Sequence, residues 1–316
     1  MQKISLPAMG EYSQTIADEL SRHLGWDIVP TKNTTRSLEL GAKYLNELMC
    51  LPAKSTLGNM IEACEKGASH LLMFDSCGLC RLKAYWILQQ KALDKLGYNA
   101  KVYPIRLGLR TPSDIRKVDP SVSYSKAWLA FARITRAVAR QEPQQPIIGT
   151  RLCIGVVGEI FTLLDEAINH RLFDKLRKLG CFVHNSLPLS YFVFKGLYRR
   201  GWMKRQDMDN AVLKKAERLA HETFPKQIGG HGNESIIHTI YYGLMGYDGV
   251  IHVAPLPCMP EFTVSSVIDE VAHNYNLPLM HLTFDTHTAD TGIITRLEAF
   301  TDMLRRKQIK RLPGGE

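Results

Sequence analysis

Two successive runs of alternating strand and helix signal, separated by a polar break, constrain this chain more than any single motif. In the first run the amphipathic stretch "EYSQTIADELSRHLG" ends on Gly25, "WDIVP" reads as a short strand, and "TTRSLELGAKYLNELM" and "STLGNMIEACEKGA" read as helices. "HLLMF" follows as a buried strand, then "KAYWILQQKALDKLG" as a helix, "AKVYPIRL" as a strand and "YSKAWLAFARITRAVARQ" as a long helix. After "EPQQP" the pattern restarts with "RLCIGVVGEI", "CFVHNSLP", "DGVIHVAPL" and "LPLMHLTF" as strands. Between and after these come "LDEAINHRLFDKLRKLG", a stretch from 190 to 225, "NESIIHTIYYGLMG", "FTVSSVIDEVAHNY" and "TRLEAFTDMLRRK" as helices. Strands that alternate with helices need crossover connections, and so predict parallel sheets covered on both faces. With 316 residues the chain exceeds the usual domain size of roughly 100 to 200. The expectation is therefore an α/β protein of two similar Rossmann-like domains, residues 1–145 and 146–316.

Forty-five per cent hydrophobic residues supply two cores, and no apolar run approaches the roughly 20 residues of a membrane span. The opening "MQKISLPAMGEYSQ" lacks a cationic start followed by an apolar run, which predicts a cytoplasmic protein whose seven cysteines stay reduced. The formal charge of +9 raises the question of nucleic acid. The basic residues gather in "DKLRKLG", "LYRRGWMKRQ" and "LRRKQIKRLPGG" without a nucleic-acid-binding signature, and read as solvated surface. Neither a nucleic-acid nor a membrane partner is expected. A basic surface also suits an acidic partner or a phosphate-bearing substrate such as a coenzyme A ester.

The cysteines divide into two groups. Cys64, Cys153 and Cys181 lie within helix or strand patterns and read as small core residues. Cys50 precedes "LPAK" at a helix edge, Cys258 stands between prolines in "PLPCMPE", and Cys77 and Cys80 form "CGLCR" with Arg81 beside them. Cys80 and Cys258 each follow a strand, where open α/β sheets bind ligands. One C-x-x-C without a second pair is poor for zinc. Thiols on separate loops suit an iron–sulfur cluster better, with redox chemistry and unrelated structural thiols as the remaining alternatives.

Taken together, "NTTRSLELGAKYLNELMCLPAKSTLGNMIEACEKGA", "CGLCRLKAYWILQQKALDKLGY", "IGVVGEIFTLLDEAINHRLFDKLRKLG", "DGVIHVAPLPCMPE" and "DTHTADTGIITRLEAFTDML" resemble the 2-hydroxyacyl-CoA dehydratase-related superfamily. The resemblance is greatest to its short members, which include relatives of the double-cubane cluster protein. It implies an oxygen-sensitive protein of anaerobes, with a [4Fe-4S] cluster in the cleft between two α/β domains. It places the ligands at Cys50, Cys80 and Cys258. It further implies a dimer, a small-molecule or acyl-CoA substrate, and low-potential electrons from an ATP-hydrolysing activator of the actin/Hsp70-like fold. The chain departs from the family's Gly-Pro-Cys-Arg arrangement: Leu79 replaces the proline and Cys77 is added. That makes Cys77 a candidate fourth ligand, and a fully coordinated cluster would serve an electron relay rather than an enzyme. A double cubane [8Fe-9S] would need about six thiolates, and with three thiols in elements a single cubane is favoured.

Glu159, just beyond a strand, is the candidate to orient substrate or accept a proton, with helix capping as the alternative. Arg81 beside Cys80 is the candidate to stabilise added negative charge, with pairing to a carboxylate as the alternative. Glu261 is expected to cap the helix that follows it, with a hydrogen bond near the cluster as the alternative, and Asp285, Thr288 and Thr295 to satisfy the start of the last helix, with a phosphate or cluster-proximal role as the alternative. His231 and His238 are expected on a loop and a helix face.

Overall fold

The computed structural model describes residues 3–75, 80–142, 151–199 and 203–311. The chain divides into two compact units, residues 1–142 with 188–202 and residues 143–187 with 203–316. The return of 188–202 to the first unit has no sign in the sequence around "EPQQP".

Unit 1 begins with β1 (Lys3–Ser5), α1 (Tyr12–Leu24), β2 (Asp27–Val29), α2 (Thr35–Tyr44) and α3 (Leu51–Glu65). It continues with β3 (His70–Asp75), a 3-10 turn (Arg81–Ala84), α4 (Tyr85–Lys95), β4 (Lys101–Arg106), α5 (Thr111–Val118) and α6 (Tyr124–Gln141). The four strands are parallel in the order β2-β1-β3-β4, with Ile4 in register with both Ile28 and His70. Ile4, Leu72 and Ile105 pack on one face against Leu20, Ile115, Ala127 and Ala130 of α1, α5 and α6. Leu71 and Met73 alternate with Leu72 and are fully buried on the other face, so both faces of β3 lie in a core.

The sequence pattern missed β1, because three residues are too few to show a period and the strand exists only through its two neighbours. It also missed α5. Helix α2 stops at Tyr44 rather than running to Met49, and α3 begins at Leu51, ahead of the Ser55 expected to start it. Pro52 sits at the first helical positions, where its missing N–H costs nothing.

α2 and α3 cross at two glycines. A Cβ on Gly41 would be driven into the carbonyl of Lys54, and one on Gly58 into the carbonyl of Ser37. This crossing fixes α3, whose first residue follows Cys50. Gly58→Ala is expected to lower stability by about 1 to 3 kcal/mol or more, read as a reduced urea midpoint. Gly292→Ala, with open space around its Cβ in the last helix, is the control and should leave the midpoint unchanged or raise it.

Unit 2 holds β5 (Cys153–Gly158), α7 (Ile160–Leu164), α8 (Leu172–Lys178) and β6 (Phe182–Asn185), after which α9 (Leu189–Arg199) belongs to unit 1. It resumes with α10 (Asn210–Thr223), α11 (Gly232–Leu244), β7 (Gly249–Pro255), α12 (Met259–Asn274), β8 (Leu279–Phe284) and α13 (Asp290–Arg311). The order β6-β5-β7-β8, again all parallel, repeats that of unit 1. Every residue of β5 and β7 is buried. The stretch 164–180, read as one helix, is helical only from Leu172 in α8, because Asp165 captures the N–H groups of Ala167 and Ile168, and Asn169 that of Leu172; α7 lies ahead of it and was not expected. The stretch 190–225 is two helices, α9 and α10, with buried Arg205 and Asp207 between them. No helix among the described residues is long and apolar enough to cross a membrane.

Candidate functional site

In a sheet of this order the first and third strands are neighbours whose connections leave in opposite directions, which opens a crevice at their carboxyl ends. In unit 2 these strands are β5 and β7. Glu159 follows β5 directly, and Cys258 follows β7 by three residues. Gly158 makes the approach between them, with φ at 140° and its Cα so close to Val253 that a Cβ would strike the Val253 carbonyl. The Glu159 N–H donates to that same carbonyl at 3.2 Å.

The Glu159 carboxylate caps α7. It accepts from the N–H groups of Phe161 (3.1 Å) and Thr162 (2.9 Å) and from the Thr162 hydroxyl (3.1 Å). The capping role weighed in the sequence is therefore the one its hydrogen bonds show. Crowding removes water from the group and pushes its pKa up to about 7 against those donors, with the charge of Glu261 adding to the rise.

Glu261 does not cap its helix. It is fully buried in the first turn of α12, and its Oε2 accepts from Ser235 Oγ at 2.8 Å and lies 2.9 Å from His252 Nε2. Asp285 and Thr288 bond to each other in a turn ahead of α13, and Thr295 bonds to Thr291 inside it, so none of the three caps the start of that helix at Asp290.

Cys50, Cys80 and Cys258 share one local setting. Each is the extended residue immediately before a helical segment, with φ and ψ of −66° and 156°, −66° and 135°, and −86° and 102°. None of the three side chains makes a capping hydrogen bond. At α3 and α12 this places the cysteine at the positive end of the helix dipole. Cys153, within β5, and Cys181, before β6, are buried as the core reading expects, whereas Cys64, within α3, is only partly buried, and desolvation pushes its thiol up to about 11.

In unit 1 the first turns of α3 and α4 bring two thiols to one tyrosine. Tyr85, 2 % exposed, places its hydroxyl 2.5 Å from Cys50 Sγ. One turn on, Gln89 Nε2 donates to Thr56 Oγ1 at 2.6 Å, so the same face of α4 is tied to α3 twice. Burial raises the Tyr85 pKa, the negative charge of Cys50 and Cys80 raises it further, and Arg81 opposes them. The phenol therefore keeps its proton, and its hydroxyl and the Cys50 sulfur share one hydrogen bond in which either can donate. Arg81 Nη1 donates to the Leu48 carbonyl at 3.2 Å, linking the turn after Cys80 to the segment before Cys50. That bond is to a carbonyl rather than to the carboxylate considered for it.

Cys77 lies outside the described residues. Cys258 belongs to unit 2, apart from Cys50 and Cys80. Among the described residues no group of three or more His, Cys, Asp or Glu side chains is gathered to hold a metal ion. The donor chemistry of the three helix-start thiols nevertheless fits an iron–sulfur group: soft sulfurs that make no capping bond to their helices.

Tyr85, Ser235 and His252 escaped the sequence reading. The signals were present as polar residues at apolar positions: His252 within "GVIHVAP", and Tyr85 four residues before Gln89 on a buried helix face. Unit 1 also contains an apolar cavity of about 80 Å³ at the carboxyl ends of its strands, walled by Leu6, Pro7, Phe74, Leu107, Phe131 and Val193. Searched against models of known protein families and against curated proteins, the chain matches none.

Proposed function

We propose that the chain is an iron–sulfur protein of the 2-hydroxyacyl-CoA dehydratase type, in which Cys50, Cys80 and Cys258 hold a [4Fe-4S] cluster. Low-potential electrons would come from an ATP-hydrolysing activator, and a small acyl-CoA-like substrate would be reduced or dehydrated. The observation that carries this reading is the common setting of these three thiols, each an extended residue before a helical segment and none making a capping bond, while Cys64 and Cys153 lie within a helix and a strand and Cys181 does not precede a helix. When bound, the cluster supplies one-electron chemistry and an iron able to take a substrate oxygen. Tyr85 holds the Cys50 sulfur by its hydroxyl, and a donor to sulfur raises a cluster's potential. Arg81 fixes the spacing of the Cys50 and Cys80 segments and places a positive charge near them. Glu159, with its pKa pushed up to about 7, is suited to exchange a proton near neutral pH. The apolar cavity of unit 1 suits an acyl chain.

Anaerobic purification followed by iron and acid-labile sulfide analysis tests the reading. The expected result is about four irons per chain with an EPR signal after dithionite. Zinc, or no metal, would refute it. A second reading, an electron relay with a closed cluster, is favoured by Cys77 in the sequence. A spectral response of the reduced protein to azide or an acyl-CoA supports the open iron of an enzyme, and indifference supports the relay.

A further inference from the structure

A continuous line of hydrogen bonds inside unit 2 runs from solvent to the buried carboxylate of Glu261. At its outer end the Asp269 side chain is 61 % exposed, and its Oδ1 lies 2.9 Å from His281 Nε2. His281 Nδ1 faces His252 Nδ1 at 2.8 Å, and His252 Nε2 reaches Glu261 Oε2 at 2.9 Å. Exposure falls along the line from 61 % at Asp269 through 34 % and 2 % to 0 % at Glu261. The fold sets this line at two levels. His252 and His281 are register partners on β7 and β8, so their rings share one sheet face. Asp269 and Glu261 lie eight residues apart on α12, which packs over that face and spans about 12 Å between them.

The contacts dictate the proton count. A carboxylate accepts, so with both acids ionised each Nε2 carries a hydrogen. Two Nδ1 atoms at 2.8 Å cannot both be bare or both be protonated, so one proton lies between them. The pair of rings then holds three protons and one positive charge. Moving the His252 Nε2 proton to Glu261 leaves both rings neutral, with His252 donating through Nδ1 to His281. The same protons fill both arrangements, and every contact stays satisfied in each.

We propose that Asp269, His281, His252 and Glu261 form a proton relay that carries protons from solvent to the ligand-binding end of the unit 2 sheet. The passage starts from the three-proton state with His281 protonated at both ring nitrogens, its extra proton taken from solvent. The Nδ1–H bond of His281 breaks as one forms on His252 Nδ1, and the Nε2–H bond of His252 breaks as one forms on Glu261 Oε2. One proton moves inward and no electrons change hands. Three further observations mark Glu261 as the delivery end. Its Oε1 is buried with no hydrogen-bond partner among the described residues, which is costly for a group with a purely structural role. It lies in the first turn after Cys258. Its charge also acts on Glu159 at the end of β5. The other polar groups around the line are Ser235, which donates to Glu261, and Arg296, which donates to the His281 carbonyl. The relay rests on the preceding reading only for what consumes the proton.

Infrared spectroscopy of the full-length chain after a pH jump follows the carboxyl C=O band of Glu261, assigned by its loss in Glu261→Gln. In His281→Phe the band is expected to reach its wild-type amplitude at a rate at least about tenfold lower. An unchanged rate, or no Glu261-dependent band between about pH 5 and 9, would overturn the relay. Circular dichroism checks folding, and His281→Gln with the same criterion serves if the phenylalanine variant does not fold. The band belongs to the chain itself and is read on protein of known iron content. A chain without iron thus leaves the relay standing, and an unchanged rate leaves the iron reading standing.

Discussion

Serine at Cys50, Cys80 or Cys258 is expected to cut the iron of the anaerobically purified protein to less than about half, whereas serine at Cys64, Cys153 or Cys181 leaves it unchanged. A hydroxyl is a poor ligand for iron in a cubane because its pKa lies far above that of a thiol, so the favourable helix-start setting cannot replace the lost charge. Of the other three thiols Cys153 and Cys181 are buried and Cys64 is partly buried, and serine there places a hydroxyl in a largely apolar setting, a cost in stability with no effect on metal. Iron content and thermal midpoint measured on all six variants separate the two groups. Equal iron in Cys50→Ser and wild type would remove that residue from the ligand set.

Asp207→Ala is expected to destabilise the protein by about 3 to 5 kcal/mol, because it strands a buried guanidinium. The Arg205 side chain is 1 % exposed, binds both oxygens of Asp207, and donates to the Ser186 carbonyl at 2.8 Å. Asp207 also accepts from His184 Nε2 at 3.2 Å, so His184 Nδ1 is left as an acceptor and takes the Tyr242 hydroxyl at 3.1 Å. This chain of bonds requires a neutral imidazole. Burial holds the His184 pKa below its usual value, and the Arg205 and His184 bonds hold Asp207 well below the carboxylate range despite burial. The consequence for pH has one sign. As pH falls through about 6.5 the unfolded chain protonates His184 while the folded chain does not, and below about 4 the same holds for Asp207. Both steps favour unfolding, so stability should fall on acidification in two stages. His184→Gln should flatten the first stage in urea titrations at successive pH values, and a first stage that persists would assign it to another group.

The site was legible where chemistry depends on local chain properties. Cysteines beside Pro and Gly announce helix starts, and Cys50 and Cys258 stand at such starts with Pro in the turn that follows. Glu159 was found because a carboxylate just past a strand has the first free N–H groups of a helix to bind. Glu261 was found by position, but its role was misjudged: N-terminal proximity suggested a cap, and the actual partners come from β7 and α11. Tyr85 was overlooked because its importance lies in Cys50, thirty-five residues away in sequence.

The sequence by itself determined the alternation of strand and helix, and hence parallel α/β sheets, because hydrophobic period and cap residues act within a few positions. It also picked out Cys50, Cys80 and Cys258 as thiols at the edges of elements, and the structure places each immediately before a helical segment. Only the tertiary structure decided that Lys3–Ser5 is a central strand, that residues 188–202 return to unit 1, and that His252 and His281 meet to connect Asp269 with Glu261. These are pairings between distant segments, settled by sheet register and helix packing, and a register shift of one residue would turn the two histidines to the opposite face.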